Sequence, residues 1–159
     1  MSRQASRRTF IRNTSTIGAA VFVGGSVNLQ ALARSANEKL NVVSFGVGGK
    51  GGSDSSNAAT FGNVVAICDV DRGTLESKGN SDGFKDAKRY TDYRELLDKH
   101  GKNIDIATVS TPDHMHGPIT LACMRLGISC YTQKPLTRTI YEARLLAQVA
   151  KEKIGRAHV

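Results

Sequence analysis

The chain has 159 residues, 40% of them hydrophobic and 23% charged, enough for one globular domain with a core and too few for two of ordinary size. Its formal charge of +8 is concentrated at the start, where the first 33 residues hold four arginines and no acid; 18 basic and 14 acidic residues are interleaved over the remainder. That mixed surface excludes a nucleic-acid footprint, and three cysteines without a CxxC pair exclude a zinc ribbon.

Residues 1–33 read as an export signal rather than as part of the fold. Ser6-Arg7-Arg8-Thr9-Phe10-Ile11-Arg12 is similar to the twin-arginine consensus, with Arg7 and Arg8 as its pair. The apolar stretch from Ile17 to Val27 is shorter than the ~20 residues that a stable membrane span needs. Ala31-Leu32-Ala33 supplies a small-x-small cleavage site, so Arg34 is the expected mature N-terminus. The expected partner is the twin-arginine translocase, the expected destination the periplasm, and residues 34–39 form a linker.

From Leu40 onward, short apolar runs alternate with longer amphipathic ones. Strands are expected at Leu40–Phe45, Asn63–Cys68 and Ile104–Val109, with shorter ones at Lys88–Tyr90 and Ile128–Thr132. Near-continuous apolar runs of this kind suit parallel strands covered on both faces. The Gly/Ser/Asn-rich segment Gly51–Phe61 occupies the place of a first helix but carries little helical pattern. Tyr93, Leu96 and Leu97 have helical spacing in a segment that Gly101 can stop. Pro118 suits the first turn of a helix over Ile119–Leu126, ended by Gly127. Thr139 and Glu142 form a capping box opening Ile140–Ile154. The sum is an α/β domain, a Rossmann-type doubly wound parallel sheet over residues 40–159.

The chemistry lies at the ends of these strands. Gly46-Val-Gly48-Gly-Lys-Gly51 follows the first strand, and Asp69 closes the second, 18 residues beyond Gly51. Gly46 suits a tight turn, Gly48 a backbone that approaches a pyrophosphate, and Gly51 close helix–strand packing. The helix N-terminus that follows offers free N–H groups to the phosphates. Asp69 would accept from the adenosine ribose hydroxyls and repel a 2′-phosphate, favouring NAD over NADP; Arg72 nearby weakens that preference, and Asp71 is the next candidate ligand. No P-loop is present, but an S-adenosylmethionine methyltransferase shares the glycines and the acid. Cys68, Cys123 and Cys130 sit in apolar company and read as buried free thiols, with a Cys123–Cys130 disulfide left open. Asp113, His114 and His116 make a poor metal site, and no metal is expected.

Two later segments decide against the methyltransferase: Ser110-Thr111-Pro112-Asp113-His114-Met115-His116 and Tyr131-Thr132-Gln133-Lys134-Pro135-Leu136, each leaving a strand at its carboxyl end. With the glycine fingerprint and Cys68-Asp-Val-Asp71, they make residues 38–159 resemble the glucose–fructose oxidoreductase / inositol dehydrogenase / rhizopine catabolism (Gfo/Idh/MocA) family. The resemblance implies hydride transfer between NAD and a sugar, polyol or related CH–OH substrate. It implies a catalytic role for Lys134, a cation beside the nicotinamide, and for His116. Ser110, Thr111, Pro112, Gln133 and Pro135 join Lys134 as cofactor-binding positions. Gln133 departs from the family's commoner Glu. The family's second α/β domain, which holds the substrate pocket and often an oligomer interface, has no counterpart, so the Rossmann domain is expected to stop where its sixth strand would begin. An incomplete oxidoreductase and a stand-alone, non-catalytic dinucleotide-binding fragment both remain open on this reading.

Overall fold

The computed structural model describes residues 39–153 and the backbone of Ala157–His158. The expected export signal and its cleavage site therefore lie outside the described residues.

Among the described residues six parallel strands form one sheet in the order β3-β2-β1-β4-β5-β6. They are β1 (Leu40–Phe45), β2 (Gly62–Cys68), β3 (Lys88–Tyr90), β4 (Ile106–Val109), β5 (Ser129–Thr132) and β6 (Ala157–His158). Between them run the helices α1 (Gly49–Phe61), α2 (Arg72–Gly79), α3 (Tyr93–His100), α4 (Asp113–Arg125) and α5 (Ile140–Glu152). The order reverses between β1 and β4, which are neighbours in space although their paired residues Ser44 and Thr108 stand 64 apart in sequence. That reversal opens a crevice above the two strand ends, the place where open α/β sheets bind ligands.

Alternate residues of the strands serve two separate cores. Val43, Phe45, Ala107 and Val109 cluster with Leu96 and Leu97 of α3, Ile119 and Cys123 of α4, and Leu146 and Val149 of α5. Val47, Val64 and Ile67 cluster with Leu75 of α2, Phe84 and Ala87. Burial on both faces is what the unbroken apolar runs anticipated.

Two expectations need correction, and one helix is added to those expected. The fourth helix opens at Asp113 with Pro112 as its N-cap, so Pro118 stands inside it rather than in its first turn. The start lies at Pro112, with the acid Asp113 in the first turn, where negative charge complements the helix dipole. The segment Arg72–Gly79, for which the sequence reading named no element, is helical; Asp71 caps it by accepting from the Thr74 N–H at 2.9 Å. The sixth strand is also begun, since Ala157 and His158 pair with Cys130 and Tyr131. Among the described residues no helix is long and apolar enough to cross a membrane.

Candidate dinucleotide site

The glycine loop is shaped by contacts that no side chain would tolerate. Gly46 has φ +75°, and a Cβ there would lie 2.5 Å from the Ser110 carbonyl oxygen. A Cβ on Gly51 would lie 2.1 Å from the Gly46 carbonyl oxygen, so α1 can start this close to β1 only with glycine at that point. Gly48 is the N-cap of α1 and makes no side-chain cap, which leaves the helix N-terminus open to an anion. Gly49, which the glycine fingerprint does not require, also has a positive φ of +49°.

Asp69 stands half-buried at the end of β2 and braces this loop. Its Oδ2 accepts from the Val47 N–H at 2.9 Å and its Oδ1 from the Asp71 N–H at 3.0 Å. A carboxylate offers about four acceptor positions, so two remain for ribose hydroxyls. Gly46, Gly48, Asp69, Ser110, Thr111 and Pro112 line one cleft of about 550 Å³, together with Asp92 and Arg94 at the start of α3. Arg94 is held by Asp92 at 3.0 Å. Arg72 lines a neighbouring groove with Glu76 and Arg89 instead of this cleft. The glycine cradle fits a pyrophosphate. The Thr111 Oγ1, buried at the cleft and without a partner among the described residues, is a polar atom for a ligand to satisfy.

Gln133, Lys134 and Pro135 follow β5 and do not line that cleft. Two side chains tie their loop to it. On one side of the sheet, Asp54 of α1 accepts from Ser110 Oγ at 2.8 Å and from Gln133 Nε2 at 3.1 Å. On the other, the His116 ring faces the Thr111 carbonyl at 2.6 Å through Nε2 and the Pro135 carbonyl at 2.7 Å through Nδ1. His116 is 1% exposed. The ring of His116, expected as a catalytic group, thus faces a backbone carbonyl through each nitrogen and bridges the two loops. Lys134 is exposed, and its N–H donates to Gln133 Oε1 at 3.1 Å. The Lys134–Pro135 peptide is cis.

Asp54 escaped the sequence reading because a lone acid in a polar helix carries no pattern. Burial pushes its carboxyl pKa up, but hydrogen bonds from Lys50, Ser110 and Gln133 outweigh this and hold it below the usual carboxylate range. The Lys50 Nζ lies 2.7 Å away and is itself raised by that contact. Cys68, in the cleft wall, has its thiol pushed up to about 12 by burial and by the charges of Asp69 and Asp92. All three cysteines are free and buried, Cys123 raised by its hydrogen bond to Cys130 and by burial. Among the described residues no three His, Cys, Asp or Glu side chains cluster as a metal site would require.

Comparison with known proteins bears on what this site serves. Residues 16–159 match the model of the GFO_IDH_MocA oxidoreductase family, NAD-binding Rossmann fold. The chain is 38% identical over 72 residues to the D-xylose 1-dehydrogenase (NADP(+)) of Hypocrea jecorina, covering 45% of this chain and 18% of that protein. It is 25% identical over 96 residues to the inositol 2-dehydrogenase of Salmonella typhimurium, covering 60% of this chain and 27% of that one. Among solved structures, the myo-inositol 2-dehydrogenase of Lactobacillus plantarum superposes with a TM-score of 0.65 at 26% identity, over 73% of this chain and 34% of that one. The chain thus spans about a third or less of the length of these relatives.

Proposed function

Since the chain belongs to the GFO/IDH/MocA family of oxidoreductases with an NAD-binding Rossmann fold, we propose that it holds NAD in the cleft between β1 and β4 for hydride exchange with a sugar or polyol. The observation that carries this reading is the meeting of the glycine cradle with Asp69 at the switch point of the sheet. The Gly46–Gly51 loop and the open N-terminus of α1 receive the pyrophosphate. Asp69 accepts from the ribose hydroxyls, and its charge disfavours a 2′-phosphate, so NAD is preferred to NADP. Ser110, Thr111 and Pro112 border the nicotinamide half. The bound cofactor supplies the hydride acceptor. Lys134 stabilises negative charge developing on the substrate oxygen, a contribution of electrostatic preorganisation. The dehydrogenases it resembles act, by name, on xylose and inositol, which supports a polyhydroxylated substrate.

The test is a titration with NADH and NADPH, read by reduced-cofactor fluorescence in a chain that contains no tryptophan. Asp69→Asn removes one charged acceptor and should weaken NADH binding by about 1.5–3 kcal/mol while narrowing the gap to NADPH. Equal loss for both cofactors, or no loss, would refute Asp69 as the ribose ligand.

Export to the periplasm belongs to the same reading. It is supported by the Arg7-Arg8 pair, the following apolar stretch and the Ala31-Leu32-Ala33 site. Replacing both Arg7 and Arg8 by lysine should leave the precursor in the cytoplasm on cell fractionation. A periplasmic double variant would disprove the twin-arginine route.

A further inference from the structure

We propose that Asp54 is a positioning residue for Lys134, acting through Gln133, and that position 133 carries an amide because position 54 carries a carboxylate. The proposal rests on the reading of Lys134 given above, and its test is built so that the two can fail separately.

Asp54 is 7% exposed, on the inner face of α1 just beyond the glycine cradle. Among the described residues every polar side-chain atom that meets its carboxylate is a donor: Lys50 Nζ on Oδ1 at 2.7 Å, and on Oδ2 Ser110 Oγ at 2.8 Å and Gln133 Nε2 at 3.1 Å. The Gln133 side chain is consumed at both ends, because its Oε1 accepts from the Lys134 N–H at 3.1 Å. Its own backbone N–H donates to the Val109 carbonyl at 2.8 Å, fixing the start of the loop to β4. The amide therefore has one workable orientation, nitrogen towards Asp54 and oxygen towards Lys134. Turned over, it would set acceptor against carboxylate and donor against donor. The result is a relay from α1 through one side chain to the peptide that carries the Lys134 ammonium, and from the same carboxylate to Ser110 in the cofactor cleft.

This relay explains the departure at position 133. A glutamate there that kept its contact with the Lys134 N–H would turn its second oxygen onto Asp54 Oδ2. Two carboxylates at that distance, one of them buried, repel unless a proton is captured between them. The acid that the resemblance places before Lys-Pro is thus incompatible with Asp54, and the pair Asp54–Gln133 keeps one negative charge with every contact complementary.

The experiment compares the full chain with Gln133→Glu, Asp54→Asn and the double exchange, in which the amide and the carboxylate trade places between the two positions. One readout is the Lys134 backbone amide by NMR, its shift and its hydrogen-exchange rate. The other is NADH affinity. Each single variant should displace the Lys134 amide, speed its exchange and weaken NADH binding about tenfold or more, the scale of a lost hydrogen bond to a charged group. The double exchange should restore both towards the original values, which a general loss of packing would not do. If Asp54→Asn fails to fold, Gln133→Glu still decides the matter through the Lys134 amide. An unmoved Lys134 amide in Gln133→Glu, or a double variant no better than the worse single one, overturns the proposal. If the original chain does not bind NADH at all, the functional reading falls while the Lys134 amide still tests the relay.

Discussion

At the scale of single residues, the glycines of the first loop are not equivalent. Gly51 is buried against the Gly46 carbonyl, and both atoms of that contact are backbone, so no rotamer relieves an added methyl group. Gly51→Ala should cost the upper end of the about 1–3 kcal/mol of ordinary overpacking, or more, and remove NADH binding with it. Gly49 has a left-handed φ but nothing within 4 Å of its Cβ position. Gly49→Ala should therefore cost only about 1–2 kcal/mol of backbone strain. Thermal midpoints of the two variants measure the difference; equal losses would show that the close approach at Gly51 is not limiting. The residue-level reading of the sequence was good where one residue type answers one geometric demand, as at Gly46 and Gly51. It was silent where a side chain's contacts lie far away in the chain. Asp54 meets Ser110 and Gln133 at separations of 56 and 79 residues, and the carbonyls that occupy His116 leave no mark on its own segment.

At the scale of elements, the strands were legible because burial on both faces demands uninterrupted apolar runs. Helices α3 and α5 were legible from spacing and caps. Helix α1 was not, because its buried positions are Gly51, Asp54 and Ser55. It packs through small and hydrogen-bonded residues, so hydrophobic periodicity has nothing to report. Helix α2 has Leu75 and Gly79 as its buried residues and was marked only by its Asp71 cap. The best-formed cap belongs to α5. Thr139 Oγ1 accepts from the Glu142 N–H at 3.2 Å, and Glu142 Oε2 accepts from the N–H groups of Thr139 at 3.1 Å and Arg138 at 2.9 Å. Gly117 of α4 sits under the same carboxylate, where a Cβ would come within 3.1 Å of it. Thr139→Ala should lower stability by about 1 kcal/mol, the usual loss for an N-cap. Denaturant unfolding measures it, with the slope against denaturant unchanged. A loss below a few tenths would mean that Glu142 alone secures the helix start.

At the scale of the whole molecule, the described residues form a cofactor-binding layer whose two faces are covered unequally. Helices α3, α4 and α5 close one face, and α1 and α2 the other. Over the second face, Leu40, Phe61 and Tyr131 border an apolar groove and remain exposed. The doubly wound architecture was readable from the alternation of elements, whereas this asymmetry was not, because composition records how much apolar surface exists and not where it is left.

The position of β1 has a further consequence, in time rather than in space. Among the described strands it is the first to leave the ribosome, yet it lies at the centre of the sheet between β2 and β4. Its second edge cannot be paired until Ile106–Val109 has been made, some 64 residues later. At about 5–20 residues per second that delay is roughly 3–13 s. For that interval the Gly46 turn lacks the Ser110 backbone against which it is later pressed. The glycine loop proposed to receive the cofactor is thus synthesised early and takes its final shape only once β4 has docked.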